Sequence, residues 1–472
     1  MEKDKAKQLL MESIEASKEP FCQAAMDIWD NPELAMQEYF AQETLVKLLE
    51  DNGFKVTKGV AGLPTSFVAE FGEGKPVIGF SAEYDCLPGL SQKKTSNFHD
   101  PIVEGGPGHG CGHNLLAVGG IQAAVALKKL MEAENLKGTL KVFGTPAEEI
   151  CVGKPFMARA GCFDGLDAVV DWHPSELNRP GYRGCLAYFN VKYHFTGKAA
   201  HGNAPWRGVS ALDSAMLMGH AIELIREHID PGPEDAHTTV NYAFPDCNNA
   251  YPVVVPDRAI IWVVGRFYKA EILEETLAKI RNAAEGCAKA TGTQVREEFL
   301  TATHNMIPNK TIGEAAAVNF EIVGPPPFTE EENAVAKEVQ ESMGCAATGY
   351  SGKIEPITPG FQPVTDSSEY SWFAPMNLLN VSLSPSVETA SHNWAVCRFA
   401  GCENGTKTAV TAAKVLCLTA YDLLTDSELL AKAQEEHKER LGGQTYKTML
   451  PDDCEPDVNI NKDIMEKFKA QK

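Results

Sequence analysis

Four short apolar runs, each followed by acidic or histidine side chains, constrain this chain more than any other feature. Residues 76–81 (Pro-Val-Ile-Gly-Phe-Ser), 138–144 (Gly-Thr-Leu-Lys-Val-Phe-Gly), 167–172 (Asp-Ala-Val-Val-Asp-Trp) and 377–382 (Asn-Leu-Leu-Asn-Val-Ser) read as strands. Glu83 and Asp85 follow the first, Glu148 and Glu149 the second and His173 the third, while His392 follows the fourth after a loop. An open, largely parallel sheet places its site beyond the carboxyl ends of its strands. The same reading that predicts the sheet therefore gathers these side chains at one edge of it.

Into that edge the sequence feeds a glycine-punctuated run, Gly108-His109-Gly110-Cys111-Gly112-His113-Asn114. A Cys-x-His pair alone is equally at home in a packed core, where buried cysteine and hydrogen-bonded histidine are common. Taken with Glu148, Glu149, His173 and His392, it completes a different inventory. Two divalent cations need thiolate, imidazole and carboxylate donors, and a hydrolase needs one further acid for the proton of the attacking water. The chain supplies both.

Composition narrows the class. The 472 residues are 44% hydrophobic and contain no uninterrupted apolar run of membrane-spanning length, so two domains with substantial cores are expected. The amino terminus is mixed in charge and lacks the apolar segment of a signal peptide, and the thirteen cysteines are odd in number and scattered. Both point to a reducing, cytoplasmic setting with free thiols. A net charge of −21 excludes nucleic acid as a partner, since phosphates require a basic surface. An anionic small-molecule substrate would need a local cationic anchor.

Along the chain, strands alternate with helical stretches up to about residue 186, the α/β pattern of a layered mixed sheet. The order then changes. Strands at 187–195, 237–244, 259–267 and 293–300 and helices at 209–229 and 271–290 give β-α-β-β-α-β, the ferredoxin-like unit. Residues 187–302 are thus expected to form an inserted α+β lid or dimerisation domain, and 1–186 with 303–472 a discontinuous catalytic domain. Residues 322–363, rich in proline, glycine and glutamate, read as a surface excursion.

The segments Ala82-Glu83-Tyr84-Asp85-Cys86-Leu87-Pro88-Gly89-Leu90-Ser91, Gly-His-Gly-Cys-Gly-His-Asn, Ala147-Glu148-Glu149, Trp172-His173-Pro174, Gly197-Lys198-Ala199-Ala200-His201 and Ser391-His392-Asn393-Trp394 carry a resemblance. The chain resembles the aminoacylase and carboxypeptidase G clan of two-metal amidohydrolases, within it the p-aminobenzoyl-glutamate hydrolase branch and related dipeptidases. The resemblance implies a zinc-peptidase-like catalytic domain. It also implies that Cys111, His113, Glu149, His173 and His392 hold two divalent ions per subunit, zinc or manganese. Glu148 becomes the general base, Asp85 the group orienting a ligand, His201 an oxyanion donor crossing a lid-mediated homodimer, and Arg266 the contact for a substrate carboxylate. The implied reaction is Glu-assisted attack of a metal-bridged water on the amide of an N-acyl or N-aroyl amino acid or dipeptide. The branch also leaves room for a second, different subunit.

Other residues stay open. His99 and His109 flank the Cys-Gly-His run as spectators, and Asp366 reads equally as a cleft residue or a loop cap. Ile150-Cys151-Val152 is bulkier than the glycine-rich sequence of the branch, and Val253 stands where the branch has an asparagine, which makes the substrate differ in detail. A thiol amidase using Cys111 and His113 is an alternative, but the pair is badly spaced for it and would leave the Glu pair and the distant histidines idle. A non-catalytic binding protein is another, against which the intact donor inventory argues.

Overall fold

The computed structural model describes residues 2–249, 251–384 and 392–471. Its larger sheet has six strands in the order Lys55–Lys58, Phe67–Glu73, Gly138–Thr145, Val77–Glu83, Ala168–Ser175, Met376–Ser382. The last four run parallel and the first two add an antiparallel edge, giving a mixed sheet. Each of the four runs predicted from sequence is one of the parallel strands. His173 lies within its strand instead of following it, because pairing with Met376–Ser382 continues to Ser175.

Helices His113–Glu134 and Glu403–Thr425 pack together against this sheet, and their apolar sides merge into the largest core cluster. Close approach depends on small residues: a Cβ at Gly120 would collide with the Ser81 carbonyl, and one at Gly119 would lie 2.8 Å from the Trp172 indole. These two helices correct the expectation that nothing reaches membrane-spanning length. At 22 and 23 residues they are long and apolar enough, but 94% and 89% of the relevant windows are buried in the protein core. Burial on all sides, not a bilayer, accounts for their composition.

Residues from 187 onward form a second, wholly antiparallel sheet, ordered Gln294–Thr303, Ala187–Thr196, Arg258–Phe267, Thr239–Cys247. Helices Ala211–Arg226 and Ala270–Thr291 lie on it, and Phe189, Val191, Met218, Ile261, Val263 and Ile280 belong to a core cluster of its own. The alternation of buried and exposed residues along Arg258–Phe267 is that of a sheet covered on one face. Between 322 and 363 the expected excursion contains a helix, Glu330–Ser342. Thr329 and Glu332 form a reciprocal capping box at its start, which supplies partners for two otherwise orphaned amides.

Candidate metal centre

The glycine run sits at the carboxyl edge of the larger sheet. Gly112 adopts φ +82° immediately before helix His113–Glu134, a left-handed conformation that turns Cys111 and His113 into one site. His113, the first residue of that helix, is fully buried; its Nδ1 lies 2.9 Å from Asp85 Oδ1. The other Asp85 oxygen accepts from the Glu149 backbone N–H at 2.9 Å. One carboxylate thus fixes both the imidazole and the glutamate turn.

Glu148 and Glu149 occupy a 3₁₀ turn, Glu148–Ile150, flanked by Ala147 and Cys151 at φ +59° and +55°. An extended continuation of the strand here would make the two carboxylates diverge by strand alternation. The two left-handed residues break the strand at Thr145 and turn the pair instead, so both side chains enter the same site. Glu149 Oε2 lies 3.2 Å from His392 Nε2, Glu148 Oε2 lies 3.7 Å from His113 Nε2, and Cys111 Sγ lies 3.3 Å from His173 Nε2. His173 Nδ1 is 2.6 Å from the Pro174 carbonyl, which leaves Nε2 facing the site.

Three overlapping sets of donors result: Cys111, His113 and His173; Cys111, Glu149 and His392; Glu83, His113 and Glu148. Within each, the ligand atoms lie within 4.8 Å of one another. Among the described residues, buried Glu83 Oε2, His113 Nε2 and Glu149 Oε1 have no hydrogen-bond partner, although buried polar atoms are rarely left so. Burial pushes the Cys111 thiol and the Glu149 carboxyl well up, with Asp85 and Glu148 adding repulsion at Glu149. Burial and nearby Glu83 raise Glu148 to about 7. Anions this crowded are satisfied by cations, and soft, borderline and hard donors together suit zinc-like divalent ions. The residues fit a two-ion centre.

Sequence reasoning missed what lies beneath. Lys154 is completely buried and donates to Glu83 at 2.7 Å and to Asp366 at 2.5 Å. Burial opposes its charge, but Asp366 and Glu83 outweigh that and keep it an ammonium. The Ser367 hydroxyl lies between Asp171, at 2.8 Å, and Glu83, at 3.1 Å. Asp366 is an ion-pair partner of Lys154 and also accepts from its backbone N–H, at 3.1 Å, in the first turn of helix Gly153–Arg159. The only sequence sign was the spacing of Lys154 five residues after Glu149, which carries no known pattern.

Cys111, Glu148, Glu149, His173 and His392 line a cleft of about 410 Å³. His113 and Asp85 are fully buried outside that lining, and two further predicted residues belong to neither the lining nor the donor sets. His201 is exposed in a short bridge, Ala200–His201, with Nδ1 accepting from Asn203 N–H. Arg266 stacks on Tyr188, 5.5 Å from its ring centre, in the second sheet. His109 is buried without a hydrogen-bond partner for either ring nitrogen and belongs to none of the donor sets; His99 is exposed.

Residues 79–415 match the model of peptidase family M20/M25/M40. The chain belongs to that family. It is 33% identical over 476 residues to one of the two subunits of p-aminobenzoyl-glutamate hydrolase from Escherichia coli (strain K12), covering 94% of this chain and 97% of that protein. The mouse Xaa-Arg dipeptidase is 28% identical, with 91% of each covered. Among solved structures, a Bacillus subtilis M20 protein described as a dinuclear metal binding peptidase superposes with a TM-score of 0.52 at 20% identity, covering 85% of this chain and 99% of that one. M20 relatives are amide-bond hydrolases and peptidases, so this family member is a hydrolase built on a mixed α/β fold.

Proposed function

We propose that this M20 chain hydrolyses the amide of an N-acyl or N-aroyl amino acid or a dipeptide, with p-aminobenzoyl-glutamate-like compounds as the substrate class. The observation that carries the reading is the position of Glu148: a buried carboxyl with its affinity for protons raised to about 7, sharing the cleft with Cys111, Glu149, His173 and His392 and lying 3.7 Å from His113. A general base works best near the operating pH. Cys111, His113, Glu149, His173 and His392 would hold two ions, zinc or manganese. Bound there, such ions polarise an amide carbonyl and acidify water.

The chain's own residues do the rest. Glu148 takes the proton of the attacking water and returns it to the leaving nitrogen. Asp85 orients His113 through Nδ1 and holds the glutamate turn through the Glu149 amide. His201, contributed by a second copy, donates to the developing oxyanion. Arg266 contacts a substrate carboxylate when the inserted unit, 187–302, closes as a lid.

A homodimer through that unit is supported by its free surface. Met216, Leu217 and Leu224 on helix Ala211–Arg226 and Phe244 on the edge strand Thr239–Cys247 are exposed apolar side chains beside unpaired backbone. The E. coli relative is one subunit of its hydrolase, which makes a second polypeptide a further partner to test. Thirteen free cysteines favour a cytoplasmic setting.

The deciding experiment is a panel of aryl-glutamates, other N-acyl amino acids and dipeptides assayed with zinc- and manganese-reconstituted protein. Chelator-sensitive turnover of at least one class is expected, and none on any amide would end the reading. Cys111→Ala should lower bound metal below wild-type stoichiometry and abolish turnover. A thiol amidase would lose turnover with metal unchanged, a difference elemental analysis resolves.

A further inference from the structure

The cleft lining also carries arginine. The loop after strand Ala168–Ser175 brings Arg179 and Arg183 into the lining, along with Phe361 and Thr365. In a chain of net charge −21, two neighbouring guanidinium groups in a cleft already lined by Glu148, Glu149 and Glu176 need a reason.

The backbone is built to put them there. Arg179 exchanges both backbone hydrogen bonds with Asn380, at 2.9 and 2.8 Å, which pins it to strand Met376–Ser382. Asn178, fully buried, accepts from the Ser382 N–H and donates to the carbonyls of Ser351 and Lys353. Between the arginines, Gly181 and Tyr182 both have positive φ, +107° and +74°. Gly181 is irreplaceable there because a Cβ would overlap the Asn377 side chain. Tyr182 has no such excuse, and a bulky residue in the left-handed region is held only where the surroundings demand it.

Arg183 itself is held from one side. Its Nε and one Nη donate to the Phe361 carbonyl, and its guanidinium lies over Gly360, where a Cβ would come within 2.9 Å of both Nη atoms. Gly184 donates to the Gly360 carbonyl, tying the two segments together. Among the described residues Arg183 forms no ion pair, and Arg179 has only Glu176, at 3.9 Å. Burial and the nearby Arg179 charge disfavour the Arg183 cation more than the more distant Asp235 and Glu176 favour it. An oriented guanidinium without a carboxylate in ion-pair contact suits a ligand carboxylate, which it can take in a bidentate fashion.

We propose that Arg183, assisted by Arg179, forms a carboxylate-binding subsite of the catalytic cleft that selects amides carrying an acidic amino acid. The selectivity rests on the amidohydrolase reading; the carboxylate site does not. It differs from the Arg266 contact, which lies outside the cleft lining.

The test uses zinc-reconstituted protein and two matched substrates, p-aminobenzoyl-glutamate and p-aminobenzoyl-glutamine. Wild type should prefer the acidic substrate in kcat/KM. Arg183→Gln should reduce that preference about 10- to 100-fold, chiefly through KM, with partial recovery in Arg183→Lys. Gly360→Ala should reduce it too, by displacing the guanidinium while its charge remains, and covers the case that Arg183→Gln fails to fold. An unchanged preference in folded variants overturns the subsite. Glutarate binding to the same holoenzymes, followed by calorimetry, separates the two readings. If no amide is cleaved, a tenfold or greater loss of glutarate affinity in Arg183→Gln still supports the carboxylate site, and equal affinity overturns it.

Discussion

The two sheets handle charge in opposite ways. Beneath the candidate metal centre, Lys154, Glu83, Asp171 and Asp366 are all at most 1% exposed; Lys154 pairs with Glu83 and Asp366, and the Ser367 hydroxyl links Glu83 to Asp171. In the second sheet, the pairs Lys192–Glu298, His194–Glu298 and Arg281–Glu297 stand 24–40% exposed on the face or margin of the strands. Exposed pairs of this kind contribute about 0–1 kcal/mol, whereas breaking a buried one by removing a partner costs roughly 3–5 kcal/mol. Fixed, enclosed charge belongs where ligand positions must not drift. The second sheet keeps its charge solvated, and its strand Thr239–Cys247 forms an open edge.

The largest effect should come from the enclosed side. Glu148→Ala removes the one carboxyl raised to about 7 in the cleft while leaving the five other donors, so turnover should fall by roughly two to four orders of magnitude. Metal content should stay at the wild-type level. Full activity in a verified variant would take Glu148 out of the chemistry.

A mixing experiment asks whether the open side completes the site. If the proposed lid pairs two chains and sends His201 across, His201→Ala and Glu148→Ala homodimers should each be nearly inactive, because every site would lack either its oxyanion donor or its base. After dissociation and random reassortment about half the dimers are mixed, each with one whole site of two, so about a quarter of wild-type activity should return. Verified exchange with no recovery means that His201 acts within its own chain or has no part in the reaction.

Substitutions matched across the two regions sharpen the contrast in stability. Lys154→Met strands Glu83 and Asp366 in the core and should cost roughly 3–5 kcal/mol by urea denaturation. Glu298→Gln, whose side chain is 37% exposed, should cost less than about 1 kcal/mol. Similar losses from the two would show that exposure does not separate these networks.

Sequence reached the two regions unequally. The parallel strands were legible because each is a short apolar run with turn signals at its ends, and the second sheet because its helices and strands change period cleanly. The donors Cys111, His113, His173 and His392 could be picked out because strand ends converge in such a sheet. Lys154 could not. A buried lysine leaves no periodic trace, and its partners Glu83 and Asp366 are 71 and 212 residues away. The 3₁₀ turn at Glu148–Ile150 was hidden for a related reason: Ala147 and Cys151 are unusual in the left-handed region, so composition pointed to extended chain. Helix Glu330–Ser342 was legible in principle, through Thr329 and Glu332 at capping-box spacing, but the prolines and glycines around it dominated. Arg179 and Arg183 reach the cleft through two consecutive positive-φ residues, one of them tyrosine, which no propensity suggests.

The smallest effect tests the junction between the regions. His304 follows strand Gln294–Thr303 and is buried, with Nδ1 2.9 Å from Glu369 Oε1 and Nε2 3.2 Å from the Lys447 carbonyl. Trp372 and Tyr446 enclose the ring, and Glu274 adds a more distant negative charge. Burial alone would lower the affinity of the imidazole for a proton, but Glu369 outweighs it and the net direction is upward from 6.5. A group raised in the folded state binds its proton more tightly there than in the unfolded chain. Its contribution is therefore complete below the unfolded value near 6.5 and is lost as pH rises through the folded value. Wild type should exceed His304→Gln in stability by a margin that shrinks between pH 6 and alkaline pH. Urea midpoints of both proteins across that range measure it. A margin that is flat or grows with pH would mean that His304 is neutral in the fold and joins the two regions by packing and backbone hydrogen bonds alone.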